Sequence, residues 1–165
     1  MRRPYKRRKN PEKIVFVGSA DINKFIKSMM FSGKLHKSYT TFMSAIDKVL
    51  QKQNIKFDES NKSEKIIEVF NEILEKGSPS LEVRTKRVGG ANYQVPVEIS
   101  SARKKAILYR WIFQISRKMV GAMSDNLAKV FLDILDTRGD VIRKKEELHK
   151  MAAANRVFQN LGSRG

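Results

Sequence analysis

Few residues in this chain could move a proton or hold a metal. Its two histidines, His36 and His149, lie in different helical stretches. His149 sits among Glu146, Glu147 and Lys150, as a surface residue would. There is no cysteine, which excludes disulfides and thiolate metal sites. No metal-ligand cluster, nucleophile elbow or dinucleotide-binding glycine pattern occurs. Gly89-Gly90 stands beside basic residues, but the Lys-Ser/Thr that completes a phosphate-binding loop is missing and no helix starts at the glycines. Glu64, Glu68, Glu72 and Glu75 recur every three or four residues and alternate with Lys62, Lys65 and Lys76, the pattern of a solvated helix face. The residues argue against an enzyme, and no cofactor or metal is expected.

What remains is the chemistry of fixed cations. The formal net charge is +17 over 165 residues, and the pI is about 10.2. Such a balance makes a folded monomer repel itself unless a polyanion offsets it. Nucleic acid is the first candidate and an anionic membrane surface the second. No apolar run nears the roughly 20 residues that span a bilayer. The basic N-terminus is followed only by Ile14-Val15-Phe16-Val17, so it reads as neither a secretory signal nor a transit peptide.

The cations are not scattered evenly. Residues 1–13 hold seven Lys/Arg against one Glu, among them Arg2, Arg3, Lys6, Arg7, Arg8 and Lys9. This stretch, extended to residue 18, reads as a disordered arm that orders on RNA or DNA phosphates. From Ile99 to Ser124 there is no acidic residue. Arg103, Arg110 and Arg117 recur at intervals of seven, and Lys104, Lys105 and Lys118 widen their stripe. A solvated helix normally mixes both signs, so this face reads as one that contacts phosphates.

The elements that must position these cations follow from apolar spacing. A first helix over 21–32 places Ile22, Phe25, Ile26, Met29 and Met30 inward and Lys24 and Lys27 outward, with Ser19 or Asp21 as cap and Gly33 as stop. A second runs over 38–53 on Tyr39, Phe42, Ile46, Val49 and Leu50, and 54–62 is a loop. A third, capped by Ser63, runs to Lys76 on Ile66, Ile67, Phe70, Ile73 and Leu74, with Gly77 as its stop. Residues 81–99 read as a β-hairpin about Gly89-Gly90, and Pro96 requires an edge. Its base, Leu81 and Val83 against Val97 and Ile99, should pack on helices, while Arg84, Lys86 and Arg87 project. Ser101 caps a fourth helix with Leu108, Ile112, Ile115 and Met119 on one side and Trp111 at their border. Ser124 caps a fifth to Arg138 on Leu127, Phe131, Ile134 and Leu135; Arg138-Gly139-Asp140 is a turn. A sixth spans 141–160 and is basic at its start, and 161–165 is a frayed tail. The expectation is a mainly α, six-helix domain over 19–160, with a hairpin arm at about 80–99 between helices three and four.

Several of these segments together carry a family resemblance. The most specific is Arg87-Val88-Gly89-Gly90, followed by Tyr93-Gln94-Val95-Pro96-Val97-Glu98. Arg110-Trp111 matches as well, as does the run from Arg143 through His149 to Ala152, continuing to Ala154-Asn155-Arg156. Gly33-Lys34 fits more loosely. Over roughly residues 20–158 the chain resembles small ribosomal subunit protein seven in its bacterial and organellar form.

This resemblance implies six helices with a β-ribbon arm, a place in the ribosome of a bacterial cytoplasm or organelle, binding to the 3′ major domain of small-subunit ribosomal RNA, and nucleation of head assembly. On that basis the ribosomal RNA falls to the N-terminal arginines and lysines, to Lys24, Lys27, Lys34 and Lys37, and to Arg103, Lys104, Lys105, Arg110, Arg117 and Lys118. The exit-site tRNA and the messenger exit path fall to Arg84, Lys86, Arg87, Gly89, Gly90 and Tyr93, and to Arg143, Lys144, Lys145 and Lys150. Ribosomal protein eleven is the implied neighbour, with ribosomal protein nine elsewhere in the head; no membrane is implied. The chain departs from the family at Leu35, where a second lysine is usual, at Met119-Val120 after Arg117-Lys118, in its longer 51–62 loop, and in the tail from Gln159 to Gly165. The rival class is an architectural DNA-binding protein with a β-ribbon arm in a groove. Against it, no second hairpin and no dimer seam are evident.

Overall fold

The computed structural model describes residues 18–53 and 61–161, with the backbone alone for 159–161. The expected basic arm, with Arg2, Arg3, Lys6, Arg7, Arg8 and Lys9, lies outside the described residues, as do most of the 54–62 loop and the last four positions. The order is α1 (Ala20–Met29), α2 (Leu35–Lys52), α3 (Lys62–Gly77), β1 (Leu81–Val88), β2 (Ala91–Glu98), α4 (Ser101–Lys118), α5 (Met123–Leu135), α6 (Gly139–Ala154) and a 3-10 helix (Arg156–Leu161). This is the expected mainly helical architecture with its ribbon between α3 and α4. Among the described residues no helix is long and apolar enough to cross a membrane.

Five helices converge on one aromatic side chain. Phe25 of α1 is fully buried. Its ring lies 5.6 Å from Phe42 of α2, 5.4 Å from Phe70 of α3, 5.1 Å and 4.8 Å from Tyr109 and Phe113 of α4, and 5.8 Å from Phe131 of α5. Tilted and edge-to-face pairs at these separations are the arrangements aromatic quadrupoles prefer. Burying each such side chain is worth about 1.5–3 kcal/mol, so the five helices share one core. Trp111 is half-buried and packs against its margin, as expected. Tyr109 and Phe113 had not been assigned to the core.

Several ends fall elsewhere than expected. α1 stops at Met29, because Met30 already takes extended backbone (ψ 136°), ahead of left-handed Ser32 (φ 50°) and Gly33 (φ 74°). α2 starts at Leu35 rather than Ser38. α5 ends at Leu135, where left-handed Thr137 (φ 53°) lets Arg138 N–H reach the Asp133 carbonyl at 2.7 Å. Gly139 and Asp140, expected in a turn, instead open α6, which gives way to the 3-10 helix before residue 160. Ser63, Ser101 and Ser124 sit inside their helices, and none of these helices has a side-chain cap. Gly77 keeps helical backbone at the end of α3. A Cβ there would lie 2.7 Å from Leu108 Cδ1, so close helix approach, not a left-handed stop, requires the glycine.

The ribbon corrects the sequence reading most. Gly89 and Gly90 both have positive φ and form the two-residue turn, which pairs Val88 with Ala91 and hence Glu82 with Val97 and Arg84 with Val95. Residues directly opposite share a face. Leu81 and Val83 therefore face away from Val97, and the expected apolar base does not form. Glu82 and Val95 are buried on one face, and Pro96 on the other. Nor is the ribbon unsupported: β1 packs on α6, and β2 packs on the 3-10 helix.

Candidate nucleic-acid interface

Helix α4 carries the stripe of Arg103, Arg110 and Arg117, and all three are exposed. They are not equivalent. At the start of α4, the Arg103 Nε donates to Glu82 Oε2 at 2.8 Å, and Arg84 Nε donates to the other oxygen of the same carboxylate. Burial opposes the charge on Glu82, but the hydrogen bonds and attraction of Arg103 and Arg84 outweigh it and hold the carboxyl below its ordinary value. Two arginines assigned to different RNAs thus grip one buried carboxylate. Two residues on, Lys105 Nζ bonds Asp21 Oδ2 at 2.6 Å, and the Tyr109 hydroxyl donates to the Asp21 carbonyl at 3.3 Å. Burial, with Asp21 nearby, pushes the Tyr109 phenol well up. Lys104 is half-buried and lines a cleft with Glu75, Ser78 and Pro79.

The far end of α4 is different. Arg110, Arg117 and Lys118 are exposed, and none forms an ion pair with a described residue. The last turn is held from α5, where buried Asn126 donates to the carbonyls of Ser116 at 3.1 Å and Met119 at 2.9 Å. Those carbonyls would otherwise be left over at a helix C-terminus. Arg117 meets Lys34 and Lys37 of the α1–α2 corner around a cleft of about 280 Å³ that Phe31, Met29 and Met123 also line. Lys24 and Lys27 are exposed on neighbouring α1. Among the described residues no carboxylate lines that cleft.

On α6, several expected contact residues make internal bonds. Lys145 Nζ donates to the Lys76 carbonyl at 2.6 Å, and burial lowers its pKa against the opposing pull of Glu146. Lys144 Nζ reaches Gln114 Oε1 at 3.3 Å. His149, expected at the surface, is half-buried and accepts the Ser80 N–H at 3.1 Å, tying α6 to the start of the ribbon. Its pKa is lowered by burial and by Lys145. Arg143 stands 3.8 Å from Asp140, and Lys150 is exposed. Tyr93 packs on Phe158 at 5.3 Å. Lys86 is half-buried opposite Tyr93, while Arg87, Gly89 and Gly90 are exposed at the ribbon tip. Lys118 lines one cleft with Arg143, Lys144, Asp140 and Glu147, so the two sets of residues expected to serve different RNAs adjoin. Among the described residues, no group of His, Asp and Glu could hold a metal ion.

Of the partners that tie these elements together, Glu82, Asn126 and Ser80 had no assigned role in the sequence reading, and Asp21 entered it only as a candidate helix cap. The pairings of Arg103 with Glu82, His149 with Ser80 and Lys105 with Asp21 span 21, 69 and 84 positions, beyond any local periodicity. The family model of ribosomal protein S7p/S5e matches residues 1–156. The chain is 41% identical over 142 residues to the small ribosomal subunit protein uS7 of Koribacter versatilis, covering 86% of this chain and 85% of that one. It is 41% identical to the Helicobacter hepaticus protein of that name over 138 residues, 83% of each chain. With the Campylobacter jejuni protein of that name it shares 39% identity over 158 residues, 93% of this chain and 96% of that one. The chain therefore belongs to the ribosomal protein S7p/S5e family, as a bacterial-type structural constituent of the small ribosomal subunit and not an enzyme.

Proposed function

We propose that the chain binds the 3′ major domain of small-subunit ribosomal RNA through the last two turns of α4 and the α1–α2 corner, and that this binding nucleates assembly of the subunit head. The observation that carries the reading is the meeting of Lys34, Lys37 and Arg117 around a cleft that no carboxylate among the described residues lines. Phosphates supply most of the affinity by displacing counterions. Side chains cannot read the deep major groove of A-form RNA, so specificity comes from the shape of an irregular junction. Exposed Arg87 at the ribbon tip, with Arg143 and Lys150 on α6, faces the exit-site tRNA and the messenger path, beside ribosomal protein eleven and with protein nine elsewhere in the head. Arg84, Arg103, Lys105 and Lys145 act chiefly as internal ties.

The test is a salt titration of affinity for a transcript of that domain, with duplex DNA as competitor. Tight binding that falls steeply with salt and resists the competitor supports the reading. Equal affinity for both nucleic acids overturns it and leaves only non-specific charge binding, whereas a preference for the duplex favours the architectural DNA-binding alternative. Arg110→Glu with Arg117→Glu should abolish binding and leave helical content unchanged; undiminished affinity removes α4 from the interface.

A further inference from the structure

The α1–α2 corner holds a large aromatic ring in water. Phe31 is 78% exposed, whereas Phe25, six residues earlier, is fully buried. A lone exposed apolar residue needs no explanation by itself. Three features set this one apart.

First, the backbone that carries it is tightly turned. Lys34 N–H bonds the Phe31 carbonyl at 3.1 Å across Ser32 and Gly33, which have φ of 50° and 74°. Two successive left-handed residues make a tight turn, and Ser32 adopts that backbone although it is not glycine. Second, the ring stands at a cleft lined by Lys34, Lys37 and Arg117, with Met29 and Met123 as apolar wall. Third, among the described residues every charged side chain that lines the cleft is a cation. An aromatic face beside such a cleft matches a ligand that joins a flat π-surface to anionic groups. The exposed aliphatics Val120 and Val157 offer no such face.

We infer that Phe31 is a stacking platform for one unpaired RNA base, with the adjoining phosphates on Lys34, Lys37 and Arg117. This rests on the RNA-binding reading above and names a specific subsite within it. Every base has a π-face, so the platform accepts whichever base the RNA splays out. It anchors an unpaired position that phosphate contacts alone do not single out.

The test measures affinity of the full chain and its variants for the 3′ major domain transcript at several salt concentrations. Phe31→Ala and Phe31→Leu should each weaken binding roughly 5- to 150-fold, the range of a lost base stack, with the salt slope of the unaltered chain. Phe31→Tyr should hold its affinity. Thermal unfolding of Phe31→Ala should match the unaltered chain, since the ring is outside the core. With Phe31→Trp, the added indole emission should be quenched as RNA binds. If Phe31→Ala binds as well as the unaltered chain, the inference is overturned while the RNA reading stands. Full affinity in Phe31→Leu also overturns it, and points to an apolar pocket on a protein partner instead. If the unaltered chain does not bind the transcript, the RNA reading itself fails and the platform falls with it.

Discussion

The two halves of α4 carry similar side chains and do different work. Arg103 and Lys105 meet carboxylates, one of them the buried Glu82 of the ribbon and the other Asp21 of α1. Arg110, Arg117 and Lys118 meet none among the described residues, and the turn that bears the last two is fastened by Asn126. One end uses its charge to set the angles between elements; the other leaves its charge for a ligand. Sequence sees one basic helix. Only the placement of two acidic residues, 21 and 84 positions from their partners, divides it.

Reversing charge at each end should separate the two roles. Arg103→Glu puts a second carboxylate against Glu82. The expected loss of stability is about 2–3 kcal/mol, below the ~3–5 for breaking a fully buried pair, because the Arg103 side chain is 53% exposed and partly screened by solvent. Urea unfolding measures it. The double variant Glu82→Gln with Arg103→Gln should recover much of the loss, since it strands no buried charge. Equal stability of Arg103→Glu and Arg117→Glu would erase the distinction between the ends.

The fastening of the far end comes next in size. Asn126→Ala removes the donor from two carbonyls at the end of α4 and should cost about 1–2 kcal/mol. RNA affinity should fall with it, because Arg117 and Lys118 then ride on a frayed turn. A variant that loses stability but binds RNA at full strength would show that the turn's geometry does not matter to the interface.

Those pairings also mark what was legible beforehand. α1, α2, α3 and α5 could be read because each buries a stripe at the helical period, as Ile22, Phe25, Ile26 and Met29 do on α1. The ribbon's existence could be read from Gly89-Gly90, but its buried face was misjudged. Alternation of Leu81 and Val83 suggested an apolar face, although a two-residue turn at 89–90 already forces Glu82 opposite Val97. Counting outward from the turn would have placed Glu82 correctly; nothing local would have placed Arg103 against it. The stripe on α4 was found by its interval of seven. Its division was not, because charge pairing across the fold leaves no periodic trace. Phe31 was passed over because it falls at the end of an apolar run and so counts as neither core nor basic.

Truncating the free end should change binding and little else. Arg117→Ala and Lys118→Ala should each leave stability within about 0.5 kcal/mol, as surface changes do. Each should lower the salt slope of RNA binding by about one, the signature of one lost phosphate contact. Lys105→Ala is the counterpart at the tied end. There the Lys105–Asp21 pair is only partly buried, at 31% and 24% side-chain exposure, so stability should shift modestly and the salt slope not at all. A slope that drops as much for Lys105→Ala as for Lys118→Ala would place RNA along the whole of α4.

The smallest expected effect distinguishes the regions by pH. His149 accepts the Ser80 N–H only while its ring nitrogen is unprotonated. Burial and Lys145 lower its folded pKa below the ordinary 6.5, with Glu146 and Glu147 adjacent on the same helix. A depressed base binds fewer protons folded than unfolded. Its contribution is therefore complete above 6.5 and declines as pH falls through that value toward the folded one. Glu82 is a depressed acid, so its contribution is complete above its ordinary 4.5 and is lost as pH falls further, through its folded pKa. Both losses fall at the base of the ribbon. Urea midpoints should thus decline first as pH falls through about 6.5, a step that His149→Gln flattens, and again below about pH 4.5, a step that Glu82→Gln flattens. If Asn126→Ala flattened either step instead, the acid-sensitive ties would belong to the RNA-facing end, and the division of α4 would be drawn in the wrong place.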